Sequence, residues 1–154
     1  MFEWLESLAI HAAEAKAKAA ARIPADHPFL ADHFPGVPIL PGSLQIELGA
    51  QVAGALAEEI VVHRDGTPRW SFLGMVRHAT FHVPVSLPAR PMISARAERI
   101  ERDSVVVHTE LYPSAGELAC RAALVMVLLP AQPGWEEAQK RHRARIAQLK
   151  ARAR

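Results

Sequence analysis

Two residues suited to proton transfer, His33 and Glu47, lie close together in one short segment of the chain. His33 belongs to a loop in which Pro35, Pro38 and Pro41 restrict the backbone, because proline fixes its own φ and biases the preceding residue toward extended geometry. Glu47 follows in a segment that is apolar around nearly its whole circumference, which is typical of a buried helix. A carboxylate buried there needs a partner or a proton. We therefore treat His33 and Glu47 as a candidate acid–base pair.

The order and spacing of these residues resemble the active-site segment of the FabZ/FabA 3-hydroxyacyl-acyl-carrier-protein dehydratases. That family's pattern is approximately H-F-P-x-x-P-x-M-P-G-x-L-x-x-E/D-x-x-x-Q. The matching residues are His33-Phe34-Pro35, Pro38, Leu40-Pro41-Gly42, Leu44, Glu47 and Gln51. A single loop histidine is usually a surface residue, and a single helical glutamate usually faces solvent, so the joint spacing carries the resemblance. It extends over residues 14–129, and it is most specific within 33–51.

The resemblance implies dehydration of a 3-hydroxyacyl thioester, which needs a base for the α-proton and an acid for the departing hydroxyl. His33 suits the first role, and Glu47 suits the second if a dry site keeps it protonated. The backbone N–H of Gly42 at the helix start can donate to the thioester carbonyl. Gln51 stands one turn after Glu47 and can orient its carboxyl group or a water. The expected substrate contacts are Phe34, Pro41 and Ser43.

Several positions depart from the family pattern. Asp32 replaces the glycine that usually precedes the histidine, and Ser43 replaces the valine or cysteine that commonly follows Pro-Gly. Neither change alters His33 or Glu47, so the departures bear on substrate details more than on chemistry. The alternative functions that remain open are a hot-dog acyl thioesterase and a noncatalytic acyl-binding subunit.

The same resemblance implies the partners. They are an acyl carrier protein bearing a phosphopantetheine-linked 3-hydroxyacyl chain and a second copy of the chain, because His and Glu come from different subunits in the family. A trimer of dimers stays open, as does the pathway, which is fatty-acid, polyketide or polyene biosynthesis. Glu47 stands where the isomerising branch usually has Asp, which favours dehydration alone.

Composition limits the remaining classes. The chain has 154 residues, half of them hydrophobic and 22% charged, which predicts one folded domain. Cys120 is the single cysteine, no apolar run is long enough to cross a membrane, and Glu3 and Glu6 stand where a signal peptide would be basic, so we expect a soluble cytoplasmic protein. We expect no cofactor and no metal, since His78 and His82 on one strand would lie about 13 Å apart.

The resemblance and the apolar pattern together predict an α+β hot-dog fold, in which a curved antiparallel sheet wraps a long central helix. We expect an amphipathic N-terminal helix over 1–10, a strand within 11–24, and a basic C-terminal helix over 135–154 after a single domain of residues 1–134. The other predicted elements are the central helix Gly42–His63 and the strands Arg69–Met75, His78–Val85, Pro91–Ile100, Ser104–Tyr112 and Glu117–Leu129.

The C-terminal segment carries the basic character of the chain. Residues 135–154 contain seven of the eighteen Lys and Arg residues and two Glu. Nucleic-acid-binding segments combine basic residues with aromatic side chains, and this segment has only one aromatic residue. We therefore expect either a solvated helix or long-range attraction to an acidic carrier protein. The fold should not need this segment, although Trp135 can dock it to the body. The cations expected to face outward are Arg141, Arg143, Arg145 and Lys150.

Overall fold

The computed structural model describes residues 4–30, 33, 35–114 and 116–153, in which a six-stranded antiparallel sheet covers one long helix. The strand order is β1-β2-β4-β5-β6-β3, so β1 and β3 form the two edges. The predicted sheet around a central helix is confirmed. The elements are β1 Leu5–His11, β2 Lys16–Ala21, α1 Gly42–Asp65, β3 Trp70–Phe81, β4 Met92–Ile100, β5 Ser104–Tyr112, β6 Cys120–Leu129 and α2 Glu136–Arg152, with short 3-10 turns at Ala12–Glu14 and Pro28–Leu30.

Helix α1 forms the centre of the core. Leu48, Val52, Leu56 and Ile60 recur every fourth residue along one side and are all buried. This spacing places them on a single face, against which the sheet packs. Gly66 ends the helix with a φ of +73°, and its N–H donates to the Val62 carbonyl at 2.9 Å.

The N-terminal helix was predicted wrongly. Among the described residues of that stretch, Leu5–His11 form strand β1, which pairs with β2. Leu5 and Leu8 are buried three residues apart, a spacing typical of a helix. The strand accommodates it because its register shifts between Leu5 and Ser7, and such a bulge brings residues of different parity to one face.

The two strands predicted over Arg69–Met75 and His78–Val85 are one strand, β3, of 12 residues. It pairs with β6 and shifts register at Leu73/Met75 and at Val76/His78. Both its faces are largely exposed, which is unusual for an apolar edge strand.

Helix α2 packs on the outer side of α1 and β1. Leu149 is 2% exposed, and the guanidinium of Arg145 donates to the Leu5 carbonyl at 2.9 Å. Lys150 pairs with Glu59 at 2.7 Å, so neither Arg145 nor Lys150 faces freely outward as predicted. Arg141 and Arg143 are exposed.

Trp135 docks as predicted, because its ring stands perpendicular to that of Trp70 with the centroids 5.5 Å apart. We expected the fold not to need residues 135–154, but the rest of the protein contacts this segment along its length. None of the helices in the described part of the chain is long and apolar enough to cross a membrane.

Candidate active site

The loop that precedes α1 is held by the segment after β3. The Leu40 N–H donates to the Val85 carbonyl at 2.8 Å, and the Leu87 N–H donates to the Pro38 carbonyl at 2.9 Å. Ile39 forms a bridge with Ser86 between these two bonds. The proline-rich loop is thus fixed at one place on the sheet, as its sequence predicts.

His33 lines a cavity of about 360 Å³ together with Gly42, Gln45 and Phe81. A Cβ atom at position 42 would lie 2.8 Å from the Phe81 ring, so glycine is needed where the helix start meets β3. The Leu44 and Gln45 N–H groups donate to the carbonyl of the preceding Pro41. The first two N–H groups of the helix, those of Gly42 and Ser43, have no carbonyl partner within the helix. His33 and the predicted donor at Gly42 therefore share one cavity.

Gln45 was not predicted to belong to this cavity. Its side chain is 5% exposed, and its Nε2 donates to the Leu40 carbonyl at 3.2 Å. Its buried Oε1 has no hydrogen-bond partner among the described residues. A buried acceptor without a partner is costly, so this oxygen is an unsatisfied polar atom beside the cavity.

Glu47 and Gln51 meet as predicted, with Gln51 Nε2 donating to Glu47 Oε1 at 2.9 Å. They line a second cavity of about 330 Å³, which α1 shares with the first four residues of β3, 70–73, and with α2. Glu47 is exposed in the single chain, so the dry environment that an acid needs is not supplied by this chain alone.

The structure places His33 and Glu47 in different cavities. The His33 cavity lies at the end of β3, against Phe81 and residues 82–84, and the Glu47 cavity lies at the start of β3, against residues 70–73. Along α1, Gly42 of the first cavity and Glu47 of the second are five residues apart, an axial rise of about 7.5 Å. His33 and Glu47 therefore line separate, neighbouring cavities of the chain.

The remaining predicted contacts divide as follows. Pro41 is buried immediately before α1, and Ser43 is exposed in its first turn. Neither lines the two cavities, and Phe34 lies outside the described residues.

Other chemistries find less support. Burial raises the pKa of the Cys120 thiol to about 11, which keeps it protonated and unreactive near neutral pH. Within residues 4–30, 33, 35–114 and 116–153, no group of three or more His, Cys, Asp and Glu side chains is placed to hold a metal ion.

Sequence comparison identifies relatives that are dehydratases. The family model described as ApeI-like, ApeI dehydratase, matches residues 9–86. The chain belongs to the ApeI-like dehydratase family. A 3-hydroxyacyl-(acyl-carrier-protein) dehydratase FabZ from Haemophilus influenzae (strain PittEE) is 36% identical to this ApeI-like chain over 108 residues, which are 70% of the chain and 71% of that protein. The FabZ of Pectobacterium atrosepticum is 33% identical over 108 residues, or 70% of each protein. The predicted FabZ-type family is confirmed.

Solved structures confirm the hot-dog fold of this ApeI-like protein. A conserved protein from Pseudomonas aeruginosa aligns with a TM-score of 0.63 at 16% identity, covering 81% of this chain and 88% of that one. A thioesterase from Haemophilus influenzae aligns with a TM-score of 0.58 at 14% identity, covering 76% and 73%. At these identities the likeness concerns the fold alone.

Proposed function

We propose that the chain removes water from a 3-hydroxyacyl thioester carried by an acyl carrier protein, giving the trans-2-enoyl thioester, and that it does so as a homodimer. The observation that carries the proposal is the position of the two half-sites. The base-bearing and acid-bearing cavities lie at opposite ends of β3, a strand with a free edge.

A second copy of the chain accounts for that edge. Met75 is 58% exposed and Val76 is 40% exposed at the middle of β3, where an apolar edge invites another strand. Antiparallel pairing of two β3 strands about a two-fold axis near Met75 and Val76 sets the start of one strand beside the end of the other. That pairing puts the Glu47 cavity of one protomer beside the His33 cavity of its partner.

The residues then divide the reaction as follows. His33 takes the proton from the carbon next to the thioester carbonyl, and the electrons of that C–H bond form the new C=C bond. Glu47, protonated in the closed site, gives its proton to the hydroxyl as the C–O bond breaks, and water leaves. The Gly42 N–H donates to the thioester oxygen as negative charge develops there. Gln51 orients the Glu47 carboxyl group.

The substrate contacts and the pathway are part of the same proposal. Ser43 lies next to Gly42 at the exposed helix start, and we assign it to substrate contact together with Phe34 and Pro41. Carrier-borne 3-hydroxyacyl chains occur in fatty-acid and in polyketide or polyene-type biosynthesis, and this acid–base pair serves both.

Product analysis tests the proposal. The protein is incubated with a 3-hydroxyacyl carrier protein, and the carrier is examined by intact mass spectrometry beside an incubation without protein. Loss of one water with the thioester retained is expected. Release of free acid, with the carrier returned to its unloaded form, would instead identify a thioesterase. An unchanged carrier would leave a noncatalytic acyl-binding function.

A further inference from the structure

Helix α2 lies beyond the residues matched by the dehydratase family model, yet it forms one wall of the Glu47 cavity. Ile146 and Leu149 face the cavity from α2, opposite Ala50 and Ala55 of α1. The lining is mostly apolar, and its polar members are Glu47, Gln51, Ser71, His142 and Arg145. Its apolar members are Leu5, Ala50, Ala55, Trp70, Phe72, Leu73, Met126, Ile146 and Leu149.

A neighbouring cavity of about 480 Å³ continues beneath the same helix. It lies between α1 and α2 and is lined by Val62 and Pro68 and, at its rim, by Arg143 and the Glu59–Lys150 ion pair. The two cavities share two lining residues, Ala55 and Ile146. These two side chains therefore form the boundary between an apolar chamber beside Glu47 and a second chamber behind it.

We propose that α2 closes the far end of the acyl site and that Ile146 sets the longest acyl chain that the site accepts. The proposal rests on the function proposed above, because it assigns the Glu47 chamber to the acyl chain of that substrate. With the 3-hydroxyl group of the substrate at Glu47, the rest of the acyl chain extends between α1 and α2 until it meets Ile146.

The wall is fixed by contacts that link three elements. Glu58 accepts a hydrogen bond from the Ser71 N–H at 2.9 Å with one carboxylate oxygen, and its other oxygen lies 3.0 Å from His142 Nε2. The His142 ring lies 5.8 Å from that of Trp70, which also contacts Trp135. Glu58 thus joins α1, the start of β3 and α2 around the chamber. A boundary held in this way gives a sharp limit on chain length, where a mobile helix would give a gradual one.

Chain-length dependence of binding provides the measurement. Burial of each methylene in an apolar chamber tightens binding about fourfold. The probes are saturated acyl-pantetheines from butyryl to dodecanoyl, which lack the 3-hydroxyl group and cannot be dehydrated. Calorimetry on the full chain should show a dissociation constant that falls with each added carbon and then reaches a plateau.

Two substitutions at one position move that plateau in opposite directions. Ile146→Ala opens the boundary and should shift the plateau to chains about two carbons longer, since it removes side-chain volume that a longer tail then fills. Ile146→Trp should shift it to shorter chains. Val62→Ala is the matched control, because Val62 lines the rear cavity and not the boundary, and it should leave the plateau in place. Thermal unfolding verifies that each variant is folded.

The outcomes separate this proposal from the function on which it rests. The same plateau in the wild type, Ile146→Ala and Ile146→Trp would overturn the role of Ile146, as would binding that does not depend on chain length. A plateau that moves as expected, in a protein that does not dehydrate 3-hydroxyacyl carriers, supports the acyl chamber and overturns the dehydratase function alone.

Discussion

At the scale of single residues, the environment of Glu47 decides whether it can act as an acid. In one chain its carboxyl group is exposed and accepts a hydrogen bond from Gln51 at 2.9 Å. The part of Gln51 in the proposed site is therefore to fix the orientation of the carboxyl group. In the proposed dimer, the partner and the substrate would close the site and exclude water from Glu47.

Replacement of either member of the proposed pair tests this chemistry. His33→Ala or Glu47→Gln should lower kcat by about 10²–10⁴. The double variant should be little worse than the weaker single variant, because the two groups act as a unit. Glu14→Gln, at an exposed carboxylate far along the chain, is the control and should keep its rate. Steady-state dehydration assays with matched circular dichroism spectra measure the effect. Near-normal turnover of a folded His33→Ala protein would remove the histidine from the mechanism.

The residues of the proposed site that the sequence pattern indicates are those with a fixed spacing. His33 and Gly42 share a cavity, and Glu47 bonds to Gln51, as the pattern indicates. Gln45 was missed, because a single amide in an apolar helix gives no spacing signal that distinguishes a cavity from solvent. Ile146 was missed for a different reason: its position depends on how α2 docks, which the local pattern of a basic helix does not specify.

At the scale of elements, the sequence predicted helices and strands accurately where neighbouring residues along the chain determine them, and wrongly where pairing with a distant strand does. Strand β5 was predicted with the observed bounds, Ser104–Tyr112, because turn residues mark both its ends. Helix α1 was predicted to within two residues at its C-terminal end. Strand β1 was predicted as a helix, because a bulge that depends on pairing with β2 produced a helical spacing of buried residues.

Truncation of one buried side chain of α2 tests whether the helix docks on the rest of the protein. Leu149 is almost fully buried, so Leu149→Ala should lower the free energy of unfolding by about 2–5 kcal/mol through loss of burial and the cavity left behind. Gln148→Ala, at the exposed neighbouring position, should change it by less than about 0.5 kcal/mol. Urea unfolding followed by circular dichroism gives both values. Equal midpoints for the two variants would mean that α2 does not pack against the body in solution.

At the scale of the whole molecule, the exposed carboxylate, the two separate cavities and the free apolar edge have one common explanation. Each feature is unfavourable or incomplete in one chain, and pairing of two β3 strands addresses all three. The sequence predicted a dimer without locating its interface, because an exposed apolar strand and a buried one have the same pattern of residues. The proposed β3 pairing has a geometric basis, because the His33 cavity lies against the end of β3 and the Glu47 cavity against its start.

Mixing inactive chains tests this arrangement directly. His33→Ala and Glu47→Gln chains, co-expressed in equal amounts with different tags, form hybrid dimers in which one site keeps both intact residues and the other has neither. If pairing is random, the mixture should recover about a quarter of the wild-type activity, because half of the dimers are hybrids and half of their sites are intact. His33→Ala mixed with the His33→Ala/Glu47→Gln double variant is the control, since no pairing of those chains restores a site.

A further substitution connects the recovery to β3. Val76→Lys places a charge at the middle of the exposed edge, where it opposes its own copy across the two-fold axis, so it should convert the dimer into a monomer in light scattering. The monomer should lose dehydration while keeping its circular dichroism spectrum, because β3 still pairs with β6. Activity retained by a Val76→Lys monomer, or no recovery in the purified hybrid, would show that each chain holds a complete site and that the two cavities do not act together.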